Sequence, residues 1–370
     1  MKVLMTADTV GGVWSYALEL ARVLESFDVE IILASTGALP SPAQRAAAES
    51  RPNITLYASA YRLEWMPDPW SDIEQAGEWL LEIAAHTRPD IIHLNDYAHG
   101  ALPWNTPVLM AGHSCVLSWW QAVHGQPAPN VWARYRETVR RGVDGADMIV
   151  APTHAMLTAL ERHYGLSRRR RVISNARASN DYPPGRKQAL ILAAGRLWDE
   201  AKNVQALARV APELDWPVAV AGETRTPGGG EPSAFSNVQA LGRLSRAVLA
   251  KWYATASIYA LPARYEPFGL SALEAALAGC ALVLGDIPSL REVWDDTALF
   301  VPPGDQAALA AALQALIADK GLRARYGSRA RNRASWRYAP TRMGAAYHAA
   351  YDELLGVRNS APVRLEIARP

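Results

Sequence analysis

The chain has 370 residues, half of them hydrophobic and a fifth charged, with 38 Lys+Arg against 36 Asp+Glu. At about 150 residues per domain this length predicts two domains, each able to bury a core without disulfide or metal staples, and the composition excludes disorder and collagen-like repeats. A formal net charge of +2 gives no support to a nucleic-acid protein, which needs a concentrated basic face.

Short apolar runs alternate with helical patterns along the chain, the signature of parallel sheets with crossover helices. In the first half the predicted strands are Val3–Met5, Val29–Ala34, Ile54–Tyr57, Ile91–Leu94, Val108–Ala111, Met148–Ala151 and Arg171–Ser174. Amphipathic helices are predicted at Trp14–Ser26, offering Leu18, Ala21, Val23 and Leu24 to the sheet, and at Ile73–His86. Asn180–Lys187, with two prolines and a glycine among polar residues, reads as a linker. A second series follows, with strands at Ala189–Ala194, Val218–Ala221, Val238–Ala240, Ile258–Leu261, Ala281–Leu284 and Leu299–Val301. Helices are predicted at Lys202–Ala211, Arg246–Thr255, Leu270–Leu277 and Gln306–Ala318. The expected architecture is α/β, with two facing Rossmann-like domains, residues 1–180 and 188–335, and a deep cleft between them. Ligands of such sheets bind beyond the carboxyl ends of the strands. A last amphipathic helix within 339–356 carries Met343, Ala346, Tyr347, Ala350 and Leu354 on one stripe, and Arg358–Pro370 is a tail without assignable role.

Cys115 and Cys280 match no CxxC or zinc spacing and read as small buried hydrophobes in a reducing compartment. Met1–Thr6 reads as the first strand rather than a signal peptide, and no apolar stretch of about 18 residues occurs, so a cytoplasmic protein is expected. Arg168–Arg171 and the arginines between Arg323 and Arg337 read first as solvated helix faces. Residues 1–187 hold 18 basic and 19 acidic residues, and the remainder 20 and 17, so neither half is strongly basic. The second reading of these runs is peripheral contact with an anionic leaflet at the inner membrane face.

Lysine occurs only at Lys2, Lys187, Lys202, Lys251 and Lys320, beside 33 arginines, and tryptophan outnumbers phenylalanine 13 to 4. Three segments could carry chemistry. Gly11-Gly12 joins the first strand to the first helix, where backbone amides can approach an anion, although a tight turn without ligand fits as well. Arg196 and Lys202 follow the first strand of the second half and could clamp a diphosphate. In Glu266-Pro267-Phe268-Gly269-Leu270-Ser271-Ala272-Leu273-Glu274, two carboxylates bracket Pro-Phe-Gly between a strand and a helix. The amides of Phe268, Gly269 and Leu270 are expected to face an anion, and Glu274 to accept hydrogen bonds from ribose hydroxyls.

This last segment resembles the Glu-x7-Glu motif of retaining glycosyltransferases with the two-Rossmann GT-B fold, above all glycosyltransferase family four. The resemblance extends over nearly the whole chain. It takes in Gly11-Gly12, His93-Leu94-Asn95-Asp96, Ala111-Gly112-His113 and Ser174-Asn175-Ala176, then Gly195-Arg196 with Lys202-Asn203 and Leu241-Gly242-Arg243-Leu244. It ends with Glu266–Glu274, Asp286-Ile287-Pro288 and Val301-Pro302-Pro303-Gly304-Asp305.

The resemblance implies that His113, Glu266, Arg196 and Lys202 are catalytic. Arg196 and Lys202 would neutralise the donor diphosphate, Glu266 would contact the donor sugar's hydroxyls, and His113 would reach that sugar from the opposite domain. Phe268, Gly269 and Leu270 would offer the diphosphate their amides, Glu274 would hold the ribose, and the base would lie near Gly242–Leu244, by Arg243 and Leu244. Gly11 and Gly12 would close over diphosphate and acceptor. The final helix is expected to cross back to the first domain, with hinges at Asn180–Lys187 and near Ser335–Tyr338.

Two departures stand out: Asn175-Ala176-Arg177, where the family commonly has Asn-Gly-Val-Asp, and an insert-like Trp198-Asp199-Glu200, placed where it can touch the donor. Trp65, Trp70, Trp104, Trp119 and Trp120 cluster in first-domain loops, where they could stack on an acceptor or pack under the loops. Of the acceptor side, Asp96, Trp119 and Trp120 are the candidates, while His93, His99 and His124 read as structural or surface residues.

The implied activity is transfer of a hexose, with retention, from a nucleotide-sugar to a hydroxyl acceptor in exopolysaccharide, other polysaccharide or glycolipid assembly. A UDP-sugar is the favoured donor, UDP-glucose foremost and GDP-mannose next. No metal and no other cofactor is expected, since no Asp-x-Asp pair occurs. Nucleotide-sugar and saccharide or glycolipid are the expected partners, with no nucleic acid. The rivals are a nucleotide-sugar epimerase of the same fold and a non-catalytic nucleotide-sugar-binding protein.

Overall fold

The computed structural model describes residues 1–227, 229 and 231–356, so the tail from Arg358 lies outside the described residues. The first domain is a seven-stranded parallel sheet of β1 (Lys2–Asp8), β2 (Glu30–Thr36), β3 (Ile54–Ala58), β4 (Ile91–Leu94), β5 (Val108–Ala111), β6 (Met148–Ala151) and β7 (Arg169–Val172), in the order β3-β2-β1-β4-β5-β6-β7. Its helices are α1 (Gly12–Leu24), α2 (Pro42–Glu49), α3 (Trp70–Thr87), α4 (Val116–His124), α5 (Ala133–Gly145) and α6 (His154–Tyr164). Central strands such as Val3–Ala7 are buried on both faces, which is why they read as continuous apolar runs rather than as alternating ones.

The second domain is a six-stranded parallel sheet in the order β10-β9-β8-β11-β12-β13, made of β8 (Gln188–Ala194), β9 (Val218–Ala221), β10 (Gln239–Gly242), β11 (Ala256–Leu261), β12 (Ala281–Gly285) and β13 (Leu299–Val301). Its helices are α7 (Val204–Val210), α8 (Arg246–Thr255), α9 (Leu270–Leu277), α10 (Pro288–Trp294), α11 (Gln306–Ala318) and α12 (Lys320–Arg337). Strand order reverses beside β1 and β4 in one sheet and beside β8 and β11 in the other, and both switch points open on the cleft. The predicted helix at Lys202–Ala211 starts later, because Glu200–Lys202 forms a 3-10 turn and Asn203 adopts φ +54°, its amide bridging the carbonyls of Pro262 and Pro303.

α13 (Pro340–Leu354) returns to the first domain. Met343, Tyr347, Ala350 and Tyr351 join the core formed by Val3, Met5, Ala17 and Leu20. Gly344 permits the close crossing, since a Cβ there would collide with Val23 of α1. The supposed linker is not free. Tyr182 is fully buried against Tyr253 in the second core, Arg246 pairs with Asp181, and the Lys187 ammonium donates to the Tyr253 carbonyl at 3.0 Å. The chain leaves the first core at Ala176 and returns after Tyr338, and the two passages touch where the Arg177 amide donates to the Tyr338 carbonyl at 3.3 Å.

The arginine runs also differ from solvated helix faces. Arg168–Arg171 borders and forms β7, a sheet edge, where Arg170 pairs with Glu161 and Arg169 and Arg171 with Glu353. On α12, Arg331 donates to the Leu277 carbonyl, Arg333 to those of Val293 and Glu292, and Arg323 to those of Leu316 and Ile317. Three helix C-termini thus receive a cation where their carbonyls lack partners. Both cysteines are buried and free, and Cys115 Sγ caps α4 by accepting from the Ser118 amide. Among the described residues no helix is long and apolar enough to cross a membrane.

Candidate active site

On the second domain, Gly195 and Arg196 follow β8. The Arg196 guanidinium donates to Asp199 at 2.9 Å and lies over the Trp198 ring. Burial opposes ionisation of Asp199, yet the cations of Lys202 and Arg196 hold its carboxyl below the usual range. Lys202 is buried, and its ammonium donates to Glu266 Oε2 at 2.8 Å. Glu266 Oε1 accepts the Gly269 amide at 3.0 Å, and Ser289 donates to the Glu266 carbonyl at 2.6 Å. Lys202, Glu266 and the start of α9 therefore form one hydrogen-bonded unit.

This unit corrects one expectation. The Gly269 amide is taken by Glu266, so the amides of Phe268 and Leu270 are the ones without an acceptor among the described residues. The Phe268 side chain is core, set edge-on against Tyr338 with ring centres 5.2 Å apart. Gly269 adopts φ +90°, which lets the chain turn into α9. Glu274 is not open either, because its Oε1 accepts from Arg177 Nε at 2.8 Å and Arg177 is fully buried. The departure from the family pattern at Arg177 thus supplies the partner of Glu274. Arg243 stands exposed after β10, with no hydrogen bond or ion pair among the described residues, and Leu244 rests half-buried on the second core.

The first domain brings Gly11 and Gly12 to this surface. A Cβ on Gly11 would sit 3.7 Å from the Arg196 guanidinium, and one on Gly12 3.2 Å from the Leu270 side chain. The N-terminus of α1 therefore opens beside Arg196 and the start of α9. Asp8 anchors the turn by accepting the Val10 amide at 2.9 Å, and burial raises its pKa.

Beyond β4 and β5 lies a polar network. The Asn95 amide donates to the Thr6 carbonyl at 2.6 Å, which turns its Oδ1 towards His113 Nε2 at 2.7 Å. His113 Nε2 must then carry the proton, leaving Nδ1 as an acceptor. Burial lowers the His113 pKa to about 4, so the ring is neutral near pH 7. Asp96 accepts from Thr6 and from His99 Nδ1, at 2.8 and 2.6 Å. Burial works against this ion pair, but each partner stabilises the other's charge, lowering the Asp96 pKa and raising that of His99. His93 is buried, bonded to Tyr351 at 2.6 Å, with its pKa lowered to about 3 by burial, and so serves the joint with α13.

A cavity of about 310 Å³ opens between these strand ends and the Arg196–Asp199 segment. Trp119 lines it and donates across the cleft to Asp199 at 2.9 Å, while Trp65 faces Trp198, with ring centres 6.5 Å apart and planes 23° apart. Trp198 and Asp199, expected near the donor, border this cavity together with Arg196, Gly11 and Gly12. Trp120 is corrected too, since it packs on the first core and against His124 rather than lining the cavity. Trp70 and Trp104 also rest on that core. The sequence reading missed Trp132 and Glu64 on the cavity wall. Glu64 is buried, accepts the amides of Tyr97 and Ala98, and has its pKa pushed up to about 8 by burial, with Asp96 adding to it. A glutamate in a loop with no recognisable spacing carried no signal of this.

Residues 10–177 match the family model described as Glycosyltransferase Family 4, and residues 188–319 the model Glycosyl transferases group 1. The chain is similar to a D-inositol 3-phosphate glycosyltransferase of Streptomyces bingchenggensis, 27% identical, over 93% of this chain and 85% of that one. Among solved structures, it is similar to a sucrose-phosphate synthase from Thermosynechococcus elongatus, with TM-score 0.79 and 17% identity over 97% and 100% of the two chains. It is also similar to Anabaena Alr3699/HepE in complex with UDP-glucose, with TM-score 0.74 and 16% identity over 95% and 100%. With both domains matched in order and the strand ends facing one cleft, the chain belongs to glycosyltransferase family four and is a glycosyltransferase of the GT-B fold.

Proposed function

We propose that the chain is a metal-independent retaining hexosyltransferase that uses a UDP-sugar, UDP-glucose first, and delivers the sugar to a hydroxyl of a saccharide or glycolipid. The observation that carries this is the meeting, across the cleft, of Gly11 and Gly12 with Arg196 and with Leu270 at the start of α9, beside the Lys202–Glu266 pair. In the reaction the bond from the anomeric carbon to the β-phosphate oxygen breaks and negative charge gathers on the leaving diphosphate. Lys202, Arg196 and the N-terminal amides of α1 and α9 stabilise that charge as it forms. Lys202 exchanges Glu266 for the phosphate, which frees Glu266 Oε2 for a donor-sugar hydroxyl. Glu274 Oε2, unpartnered among the described residues, accepts from the ribose while Oε1 stays on Arg177. The acceptor hydroxyl attacks the anomeric carbon on the face the diphosphate leaves, and its proton passes to the departing phosphate oxygen. The UDP-glucose complex of a neighbour in fold supports this choice of donor.

The test is a panel of nucleotide-sugars, each measured for thermal stabilisation and for UDP or GDP release with EDTA present and absent. UDP-glucose is expected to stabilise the protein and be consumed equally with and without EDTA. Rate loss in EDTA restored by Mg²⁺ would overturn metal independence. Stabilisation without turnover under every acceptor would instead favour a non-catalytic binder.

A further inference from the structure

Among the described residues the first domain makes no hydrogen bond to Glu266, yet it holds the residues on either side of it. The Tyr265 hydroxyl accepts the Cys115 amide at 3.2 Å and the Ser114 hydroxyl at 3.4 Å, and it faces Met156 Sδ at 3.5 Å. Thr153 is buried at the start of α6, where its Oγ1 accepts the Met156 amide at 3.1 Å and donates to the Pro267 carbonyl at 3.0 Å. One hydroxyl thus caps α6 and ties that helix to the turn before α9.

α10 makes the same crossing from the other direction. Glu292 Oε1 accepts the His154 amide at 2.7 Å and Oε2 the Ala155 amide at 3.0 Å. These are first-turn amides of α6, which have no partner within their own helix and favour a carboxylate. Three residues earlier, on the same side of α10, Ser289 donates to the Glu266 carbonyl. The topology brings these groups together, since β5 and β6 are neighbours in one sheet, β11 and β12 in the other, and the contacts join the loops beyond their carboxyl ends.

The hold on residues 265–267 matters when the Glu266 side chain is released. Lys202 anchors Glu266 Oε2 in this structure, and in the reaction proposed above Lys202 passes to the phosphate. The Gly269 amide stays on Oε1, but it belongs to the same turn and moves with it. Tyr265, Thr153 and the Ser289–Glu292 face of α10 are then what fixes the turn in space. A displacement of about 1 Å at such a site can cost about 10²-fold in rate.

Building on the glycosyl-transfer reading, we infer that Thr153, Tyr265 and Glu292 are positioning residues through which the first domain sets Glu266 against the donor sugar. They act through Glu266 and touch neither the diphosphate nor the ribose.

The experiment titrates UDP and UDP-glucose, or whichever nucleotide-sugar the panel selects with its nucleoside diphosphate, and measures kcat for UDP release. The proteins are the wild type, Thr153→Val, Thr153→Ser, Tyr265→Phe, Glu266→Gln and the double variant of Thr153→Val with Glu266→Gln. Thr153→Val and Tyr265→Phe are each expected to lower kcat about tenfold and to weaken UDP-glucose about threefold or more, while UDP alone shifts less than about twofold. Thr153→Ser, which keeps the hydroxyl, should restore both values. Tyr265→Phe serves as the second variant because it leaves the α6 cap untouched. In the Glu266→Gln background, adding Thr153→Val should change UDP-glucose affinity less than about twofold, since its effect runs through the missing carboxylate. Equal weakening of UDP and UDP-glucose would overturn the inference, because a contact that only keeps the cleft closed affects both. The same factor for Thr153→Val with and without Glu266→Gln would overturn it as well. If no nucleotide-sugar is bound or consumed by the wild type, the glycosyl-transfer reading fails and the inference with it.

Discussion

The donor-facing wall and the cavity wall meet at Arg196, yet they are built differently. The first comes from one stretch of chain, Gly195 to Glu274, joined by Arg177, and its charges are held in three pairs: Arg196–Asp199, Lys202–Glu266 and Arg177–Glu274. The second gathers loops after β1, β3, β4 and β5 and closes them with Trp198 and Asp199 from the other domain. A site made of exchangeable ion pairs suits a ligand that brings its own charge, because the diphosphate can replace Glu266 on Lys202. The second wall is lined by aromatic side chains and shares the Arg196–Asp199 pair with the first. The largest effect that sharpens this contrast is Lys202→Ala, expected to lower kcat roughly 10²–10³-fold, as when one charge-stabilising donor is removed. Initial-rate assays of UDP release check it, and an unchanged kcat would remove Lys202 from the donor site.

Next in size is Arg177→Ala. It leaves Glu274 mostly buried without its cation, and breaking a buried pair from one side typically costs about 3–5 kcal/mol. Urea unfolding should show a loss near the lower end, since Glu274 keeps some solvent contact. The donor KM should rise, and Arg177→Lys should recover part of both. An unchanged donor KM would mean that Glu274 does not touch the ribose. Smaller again is Trp119→Phe, which removes a hydrogen bond to a charged group across the cleft, worth about 1.5–3 kcal/mol. Small-angle scattering should report a more open average shape, and donor and acceptor KM should rise together.

The same contrast explains what could be read from the sequence. Strands such as Ile91–Leu94 and Val108–Ala111 were legible to the residue, because a strand buried on both faces leaves an unbroken apolar run. The Glu266–Glu274 segment was legible because its parts are close in sequence and bound to one turn geometry. Its pairings were not: nothing local says that Gly269 serves Glu266 or that Arg177, 97 residues away, holds Glu274. Tyr182 looked like linker because its neighbours are polar, and only the tertiary contact with Tyr253 makes it core. The cavity was least legible, since Glu64, His99, Trp132 and Trp198 share no spacing and meet only through the topology.

The smallest effect tests the charge of the cavity wall through pH. With its pKa near 8 in the folded protein, Glu64 keeps its proton where the unfolded chain, near 4.5, has lost it, so this group makes stability fall as pH rises from about 4.5 to 8. His113 and His93 act at the other end. Their folded values, about 4 and 3, lie below 6.5, so their contribution is fully present above 6.5 and is lost as pH falls below it. Between pH 6.5 and 8 the histidine contribution is flat and Glu64 costs up to about 2 kcal/mol, at 1.36 kcal/mol per pH unit for one proton. Burial works against the charge on His99, but Asp96 raises its pKa overall, which adds a slope of the same sign. The difference between the wild type and Glu64→Gln, rather than either slope alone, therefore isolates Glu64. The Gln oxygen can still accept the Ala98 amide, so the variant should fold, and urea midpoints at pH 6.5 and 8.0 should show it losing less stability than the wild type over that interval. Equal losses would mean that Glu64 is ionised throughout and adds a negative charge to the cavity wall.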